Sequence, residues 1–314
     1  MQIEREEAQY VFNLLQQFPS SSLFLDLRSP EDFSLLRVDN SYNLPLDCDP
    51  GQVSVRVVED LLKGTPAAAV FIKRKRMCVF VAGDEGSAVR ASALFEALQK
   101  DRCKELHLLS PPVAWFLSIY AFLAVGSLAV PQFPRSRVGY PNEIIPDRLF
   151  LGSHLHGESM EVVQNLRITH VVNATKSIKN RFLDRLQYCR VVVEDQESEM
   201  ICYHFNKAFR FMDMAVAEGP DTRILVHCAQ GISRSATLVI MYLMRTGDLT
   251  YEQALALVQK HRDIVQPNPG FVSQLKEFEI ARFSFRRTNM ILAKREEPRI
   301  LQASLPLDFS HNTS

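Results

Sequence analysis

One run of ten residues constrains this chain more than any other: Val226-His227-Cys228-Ala229-Gln230-Gly231-Ile232-Ser233-Arg234-Ser235. It follows a short apolar stretch, Ile224 to His227, and precedes the helical spacing of Ala236 to Met244. A strand, a tight loop and a helix N-terminus in that order turn successive backbone N–H groups inward. The helix dipole adds partial positive charge, so the arrangement is an anion site. Gly231 lets the loop close. Arg234 can grip two phosphoryl oxygens in its planar fork. The residues expected to hold a phosphate are therefore Ala229, Gln230, Gly231, Ile232, Ser233 and Arg234.

Cys228 sits at the bottom of that electropositive cradle, which favours thiolate over thiol. A thiolate facing a phosphate monoester is a nucleophile for phosphoryl transfer, with a phosphocysteine as first product. Ser235 is placed to stabilise the thiolate as it departs in the second step. A buried structural cysteine is the plainer alternative for a lone Cys. Fixed spacing of His, Cys, Gly, Arg and Ser between strand and helix argues against it. The reaction also needs a general acid for the leaving oxygen. Val191-Val192-Val193-Glu194-Asp195 puts two carboxylates just past a strand end, and Asp195 lies 33 residues before Cys228. A solvated acidic loop reads equally well from position alone, because Glu197 and Glu199 continue the charge.

Composition narrows the setting. The 314 residues carry 36 Lys plus Arg against 36 Asp plus Glu, so no large basic field recommends nucleic acid as a partner. At 46% hydrophobic the chain has material for real cores. The six cysteines form no CxxC pair, which fits neither a zinc module nor a disulfide framework. No metal and no cofactor are expected. The polar, acidic start from Met1 to Glu7 resembles neither a secretory signal nor an Arg-rich presequence. Reduced thiols in cytosol or nucleus are the expected setting.

Pro131, Pro134 and Pro141 punctuate a stretch that reads as a linker. The expected layout is residues 1–130, a linker at 131–140, a second domain at 141–284, and a mostly disordered tail at 285–314. In the first domain, Leu23 to Leu27 and Met77 to Ala82 read as strands, and Ala88 to Gln99 as a helix. In the second, Ile168 to Ala174, Tyr188 to Val193 and Ile224 to His227 are strand-like. Phe205, Phe209, Met212 and Val216 fall at helical spacing, closed by Gly219. Thr250 with Gln253 is a capping box. The class is α/β in two domains, with parallel pairing. Val113 to Val130 holds 18 residues without a charge. It is either a membrane span or a buried terminal helix. At 1.5 Å per residue it reaches only about 27 Å, and Gly126 and Ser127 interrupt it.

The loop resembles the His-Cys-x5-Arg-Ser signature of the dual-specificity branch of the protein-tyrosine-phosphatase superfamily. Glu143 to Ser153 resembles the family's opening strand, and Val171-Val172-Asn173-Ala174-Thr175 the next. Pro267-Asn268-Pro269-Gly270-Phe271 with Gln274-Leu275 resembles its closing motif. Asp195 falls where the family keeps its general acid. The resemblance implies an α/β sandwich, catalysis by Cys228, Arg234, Asp195 and Ser235, and loop support from His227 and Asn173. The first domain is similar to a rhodanese-like domain, a parallel sheet flanked by helices. Leu25-Asp26-Leu27-Arg28, Phe33 and Asn43-Leu44-Pro45 carry its opening pattern. Phe116, Tyr120 and Leu123 fit its terminal helix. The loop Ala82-Gly83-Asp84-Glu85-Gly86-Ser87 has no cysteine, so sulfur transfer is not expected.

This layout is that of the MAP-kinase phosphatases. It is also that of the serine/threonine/tyrosine-interacting-like proteins, whose family form lacks the nucleophile. Length and the Gln-Gly-Ile-Ser-Arg-Ser loop resemble the latter most, and Cys228 departs from that pattern. The implied partner is a phosphoprotein, with a MAP kinase as one candidate. The unit's small size leaves a shallow pocket, open to phosphotyrosine and to phosphoserine or phosphothreonine. The loop interior has no Lys, which argues against inositol lipids. Lys73, Arg74, Lys75 and Arg76 form a basic run that reads as a docking strip, a solvated loop or a nuclear-import patch. The alternative function is a phosphoprotein-binding scaffold that turns over poorly.

Overall fold

The computed structural model describes residues 2–17, 22–103, 105–109, 112–129 and 136–289. Contacts divide the chain into two compact units: Met1–Asp147 with Ser159–Arg167, and Arg148–Glu158 with Ile168–Ser314. The α/β class in two units is the one expected from sequence.

The first unit contains α1 (Gln2–Gln17), β1 (Ser22–Asp26), α2 (Pro30–Leu35), β2 (Arg37–Val38), β3 (Ser41–Asn43), α3 (Val55–Leu62), α4 (Pro66–Phe71), β4 (Cys78–Ala82), α5 (Ala88–Lys100), β5 (Glu105–Leu109), α6 (Val113–Ile119), β6 (Ala124–Val125) and β7 (Asn142–Ile145). Its parallel sheet has the order β3-β1-β4-β5. Both faces are covered. Leu23, Leu25, Val79 and Val81 enter one core with Leu44, Val58, Leu94 and Leu98. On the other face Phe24, Phe80 and His107 stand in register across three strands, with ring centroids 5.8 and 5.5 Å apart. Two-faced burial is why these strands read as continuous apolar runs without alternation.

β1 ends in a buried ion pair. Arg28 Nη2 lies 2.7 Å from Asp26 Oδ2 and donates to the Leu36 carbonyl at 2.6 Å. Asn43 Nδ2 ties the neighbouring strand to the Asp26 and Arg28 carbonyls. The whole Leu-Asp-Leu-Arg stretch is thereby a structural knot.

A polar stripe on α1 moves the division between the units. Arg5, Gln9, Asn13 and Gln16 recur at helical spacing and bind the chain from 140 to 147. Gln9 Nε2 and Asn13 Nδ2 donate to the Glu143 carbonyl, and Asn13 Oδ1 accepts from the Glu143 amide. Gln16 Oε1 accepts from the Tyr140 amide. Arg5 and Tyr120 enclose the buried Glu143 carboxylate at 2.8 and 2.7 Å. The contact boundary therefore falls at Asp147 rather than within 131–140. Residues 131–135 of the expected linker lie outside the described residues.

The uncharged stretch from Val113 is not one helix. α6 stops at Ile119, a 3₁₀ turn follows over Ala121–Leu123, and β6 pairs antiparallel with β2. At Gly126 (φ 126°) a Cβ would meet the Leu35 carbonyl at 2.5 Å, so the backbone must lie flat there. Phe116, Tyr120 and Leu123 are buried, as a terminal core segment requires. Among the described residues no helix is long and apolar enough to cross a membrane.

The second unit opens with β8 (Leu149–Ser153) and α7 (His154–Glu158), while α8 (Met160–Asn165) clusters with the first. It continues with β9 (His170–Asn173), β10 (Gln187–Arg190), α9 (Phe205–Ala217), β11 (Ile224–Cys228), α10 (Arg234–Gly247), α11 (Tyr251–His261) and α12 (Pro269–Asn289). Its parallel strands run β10-β9-β11-β8. β11 is central and buried throughout. α10 is buried from Ser235 to Met244, on every side, as a helix enclosed by α9, α11, α12 and the sheet must be. Thr250 and Gln253 make the capping box read from the sequence. α12 extends through Asn289, so residues 285–289 of the expected tail are helical. Residues 290–314 lie outside the described residues.

Candidate active site

β11 delivers Cys228 at its C-terminal end, against Gly152-Ser153 of β8 on one side and Asn173 of β9 on the other. The loop then crosses the sheet end to start α10. Gly231 adopts φ 76°, and a Cβ there would meet the Gly152 carbonyl at 2.5 Å. Only glycine satisfies both demands.

Four consecutive loop carbonyls are tethered from outside. His154 bonds the Ala229 carbonyl through its amide (3.3 Å) and Nδ1 (2.8 Å). Arg262 donates to the Gln230 carbonyl from Nη2 (3.0 Å) and to the Gly231 carbonyl from Nε (2.9 Å). The Gln266 amide takes the Ile232 carbonyl at 3.0 Å. In a trans peptide the N–H points opposite the carbonyl. The amides of residues 230 to 233 are therefore turned toward the interior of the loop, which forms an amide nest.

The Cys228 sulfur lies within it, 1% exposed. It accepts from the Gly231 amide and from the Ser235 hydroxyl, both at 3.2 Å. Burial alone would raise its pKa, but the Ser235 and Gly231 hydrogen bonds and the Arg234 charge outweigh burial and bring it below the ordinary thiol value. Arg234 extends along the loop, its Nη1 3.5 Å from the Val193 carbonyl. Its Nε is buried without a hydrogen-bond partner, 3.5 Å from Asp195 Oδ2. A buried guanidinium N–H in that condition calls for an acceptor.

Asp195 is brought to the same place. Its Oδ1 accepts from Ser233 Oγ at 2.6 Å and from Asn268 Nδ2 at 2.9 Å. The acidic loop is thus docked on the chain start of α12. A Cβ on Gly270 would run into the Glu197 carbonyl, and Gln274 Nε2 donates to the Glu199 carbonyl at 2.9 Å. Asp195 is itself exposed, but these two hydrogen bonds hold it over the phosphate loop.

The structure brings together Cys228, Ser233, Arg234, Ser235 and Asp195. His227 supports the loop at its root. Its Nδ1 faces the Cys228 carbonyl at 3.3 Å, and Gly157 leaves just enough room for its ring. Burial pushes this imidazole down to about 4, so it is neutral at physiological pH. Asn173 does something else. Its side chain bonds the Ile178 carbonyl, Asn180 and Thr175, bracing the next loop rather than the phosphate loop. Its link to β11 is through backbone, by the Ala174 amide to the His227 carbonyl.

The basic run is not uniform. Arg74 is buried, paired with Glu59 at 3.1 Å and Asp101 at 2.8 Å and stacked over Phe71. It is a packing residue and is removed from the docking strip. Lys73, Lys75 and Arg76 are exposed, with Lys75 also paired to Asp101. Sequence reasoning missed Arg262, whose role depends on a fold-level contact with no local pattern. Asn268 was marked only through the resemblance of its motif.

Residues 149–281 match the family model of the dual specificity phosphatase catalytic domain. Over 164 residues the chain is 38% identical to protein phosphatase Slingshot homolog 3 of Rattus norvegicus, covering 51% of this chain and 25% of that protein. Over 140 residues it is 36% identical to a probable rhodanese domain-containing dual specificity protein phosphatase of Dictyostelium discoideum, covering 45% and 29%. A solved structure of human tyrosine phosphatase-like serine/threonine/tyrosine-interacting protein is 34% identical, with TM-score 0.44, covering 46% of this chain and 98% of that one. The chain spans between a quarter and a third of the length of these two curated relatives. Within the second unit, residues 149–281 are thus similar to the dual specificity phosphatase catalytic domain.

Proposed function

We propose that the dual specificity phosphatase domain of residues 149–281 hydrolyses phosphotyrosine and phosphoserine or phosphothreonine on a protein through a phosphocysteine. One observation carries this reading: a buried sulfur with a lowered pKa inside an amide nest, beside a buried guanidinium N–H without a hydrogen-bond acceptor, 3.5 Å from the Asp195 carboxylate. The phosphate of the substrate takes the nest amides and the Arg234 Nε that lacks a hydrogen-bond acceptor. Cys228 Sγ attacks phosphorus, the P–O bond breaks, and Asp195 protonates the leaving oxygen. Water then attacks phosphorus, Asp195 accepts its proton, and Ser235 donates to the returning thiolate. The preorganised amides stabilise charge on the equatorial oxygens in both steps.

The Cys228–Asp195 pair weighs against a pure scaffold, which has use for the nest but not for an acid. The test is hydrolysis of an aryl phosphate and of phosphopeptides by wild type, Cys228→Ser and Asp195→Ala, with rapid quench for a phospho-adduct. Equal rates for all three would sink the proposal.

The first unit, within residues 1–130, is proposed as a rhodanese-like domain without sulfur transfer. Its loop at 82–87 holds no thiol. We carry forward a MAP kinase as partner, docking on Lys73, Lys75 and Arg76, in cytoplasm or nucleus. Capture by Cys228→Ser with and without those three cations neutralised tests the partner and the strip together, and imaging of a tagged chain tests the location.

A further inference from the structure

Asp195 has two oxygens, and the structure treats them differently. Two fixed backbone amides determine how. Asn268 caps the first turn of α12: its Oδ1 accepts from the Phe271 amide at 3.0 Å. The oxygen of this amide therefore faces Phe271, and Nδ2, which can only donate, faces Asp195 Oδ1. The Asn268 backbone amide donates to Ser233 Oγ at 3.1 Å. That leaves the Ser233 hydroxyl hydrogen for Asp195 Oδ1, 2.6 Å away. Both neighbours of Oδ1 thus present hydrogens to it, and neither can turn. A proton on Oδ1 would face two others. The acidic proton belongs on Oδ2, the oxygen on the Arg234 side, 3.5 Å from its Nε.

We infer that Ser233 and Asn268 are positioning residues that assign the general-acid proton of Asp195 to Oδ2 and aim it at the leaving oxygen. The inference rests on the phosphatase reading above. In the first step Sγ forms its bond to phosphorus as the P–O bond breaks. The electron pair of that bond goes to the leaving oxygen, which takes the proton from Oδ2. In the second, water adds to phosphorus, the S–P pair returns to sulfur, and Oδ2 recovers a proton from the water. Oδ1 remains a double acceptor throughout.

A purely structural role for Asn268 as a helix cap makes a different prediction, and Asn268→Ser separates the two. Its shorter side chain keeps the cap but withdraws the amide N–H that reaches Asp195. Wild type, Asn268→Ser, Ser233→Ala, Asp195→Ala and Asn268→Ser/Asp195→Ala are compared on p-nitrophenyl phosphate, a good leaving group, and phenyl phosphate, a poor one. Acid catalysis matters for the poor one. Because a general acid contributes about 10²–10⁴-fold, Asn268→Ser is expected to lose about 10-fold or more in kcat on phenyl phosphate and less than about 3-fold on p-nitrophenyl phosphate. On phenyl phosphate the double variant should match Asp195→Ala alone. Equal losses on both substrates, or additive losses in the double variant, overturn the inference and leave the phosphatase reading standing. A wild type that hydrolyses neither substrate overturns both. Thermal melts of Asn268→Ser close to wild type confirm that the cap is intact.

Discussion

Each unit contains a loop that leaves the C-terminal end of a central parallel strand and feeds a helix, and only one of the two is open to a ligand. Residues 83–87 leave β4 for α5; residues 229–233 leave β11 for α10. In the first, Asp84 and Ser87 satisfy one another. The Asp84 amide donates to Ser87 Oγ at 2.9 Å, the Ser87 amide to Asp84 Oδ1 at 2.9 Å, and the Ser87 hydroxyl to the same oxygen at 2.7 Å. The Ser87 hydrogen bond holds the Asp84 carboxyl below its ordinary range. In the second, the carbonyls are tethered outward and the Gly231 amide faces the sulfur. The associated arginines differ in the same way. Arg28 is engaged with Asp26 and the Leu36 carbonyl, whereas the buried Arg234 Nε has only a 3.5 Å ion pair with Asp195 and no hydrogen bond. Topology supplies a place for an anion; whether the loop consumes its own donors decides if the place is used.

The largest effect should come from removing the sulfur. Cys228→Ser is expected to lower kcat on an aryl phosphate by on the order of 10⁵–10⁶-fold, with little change in melting temperature. Next, the two arginines should trade phenotypes. Arg234→Ala should cost about 10³–10⁵-fold in rate and little stability. Arg28→Ala strands a buried carboxylate and should cost about 3–5 kcal/mol in chemical denaturation of the first unit, with aryl phosphate turnover preserved where that unit stays folded. A chain in which both variants lose stability and rate together would erase the distinction.

A smaller effect concerns ionisation. Cys228 has a folded pKa below the ordinary thiol value of 9.0. Its alkylation by iodoacetamide should rise with pH through a midpoint under that value. By linkage, the thiolate's contribution to stability is complete above the free-thiol pKa and is lost as pH falls through the folded midpoint. Ser235→Ala removes a hydrogen bond to a charged group, so the midpoint should move up by about 1–2 pH units. His227, neutral from about 4 upward, adds nothing to that limb. The smallest effect is in the closed loop. Ser87→Ala should destabilise the first unit by about 1 kcal/mol and leave aryl phosphate turnover unchanged.

Much of the second unit was legible because its signals are local. The phosphate loop spans ten consecutive residues, the capping box four, and β11 one apolar run. What was hidden depends on partners far along the chain. Arg262 reaches back 31 and 32 residues to the loop carbonyls. Asn268 reaches 73 residues to Asp195. Arg74 looked like its neighbours in a basic run, but the 3₁₀ turn at 74–76 points it onto Phe71 and two carboxylates. The stripe on α1 reads as an ordinary polar face, and only the structure shows that it binds the main chain of Tyr140 and Glu143 and the carboxylates of Glu143 and Asp147.

The outward tethering of the Ala229 to Ile232 carbonyls has a thermodynamic corollary. A loop restrained from behind loses almost no backbone freedom when an oxyanion arrives, so association should be driven by enthalpy. It should also proceed with a heat-capacity change near zero, since hardly any apolar surface is covered. The backbone of this segment should superpose empty and occupied, the mark of a receptor whose shape is complete before its guest.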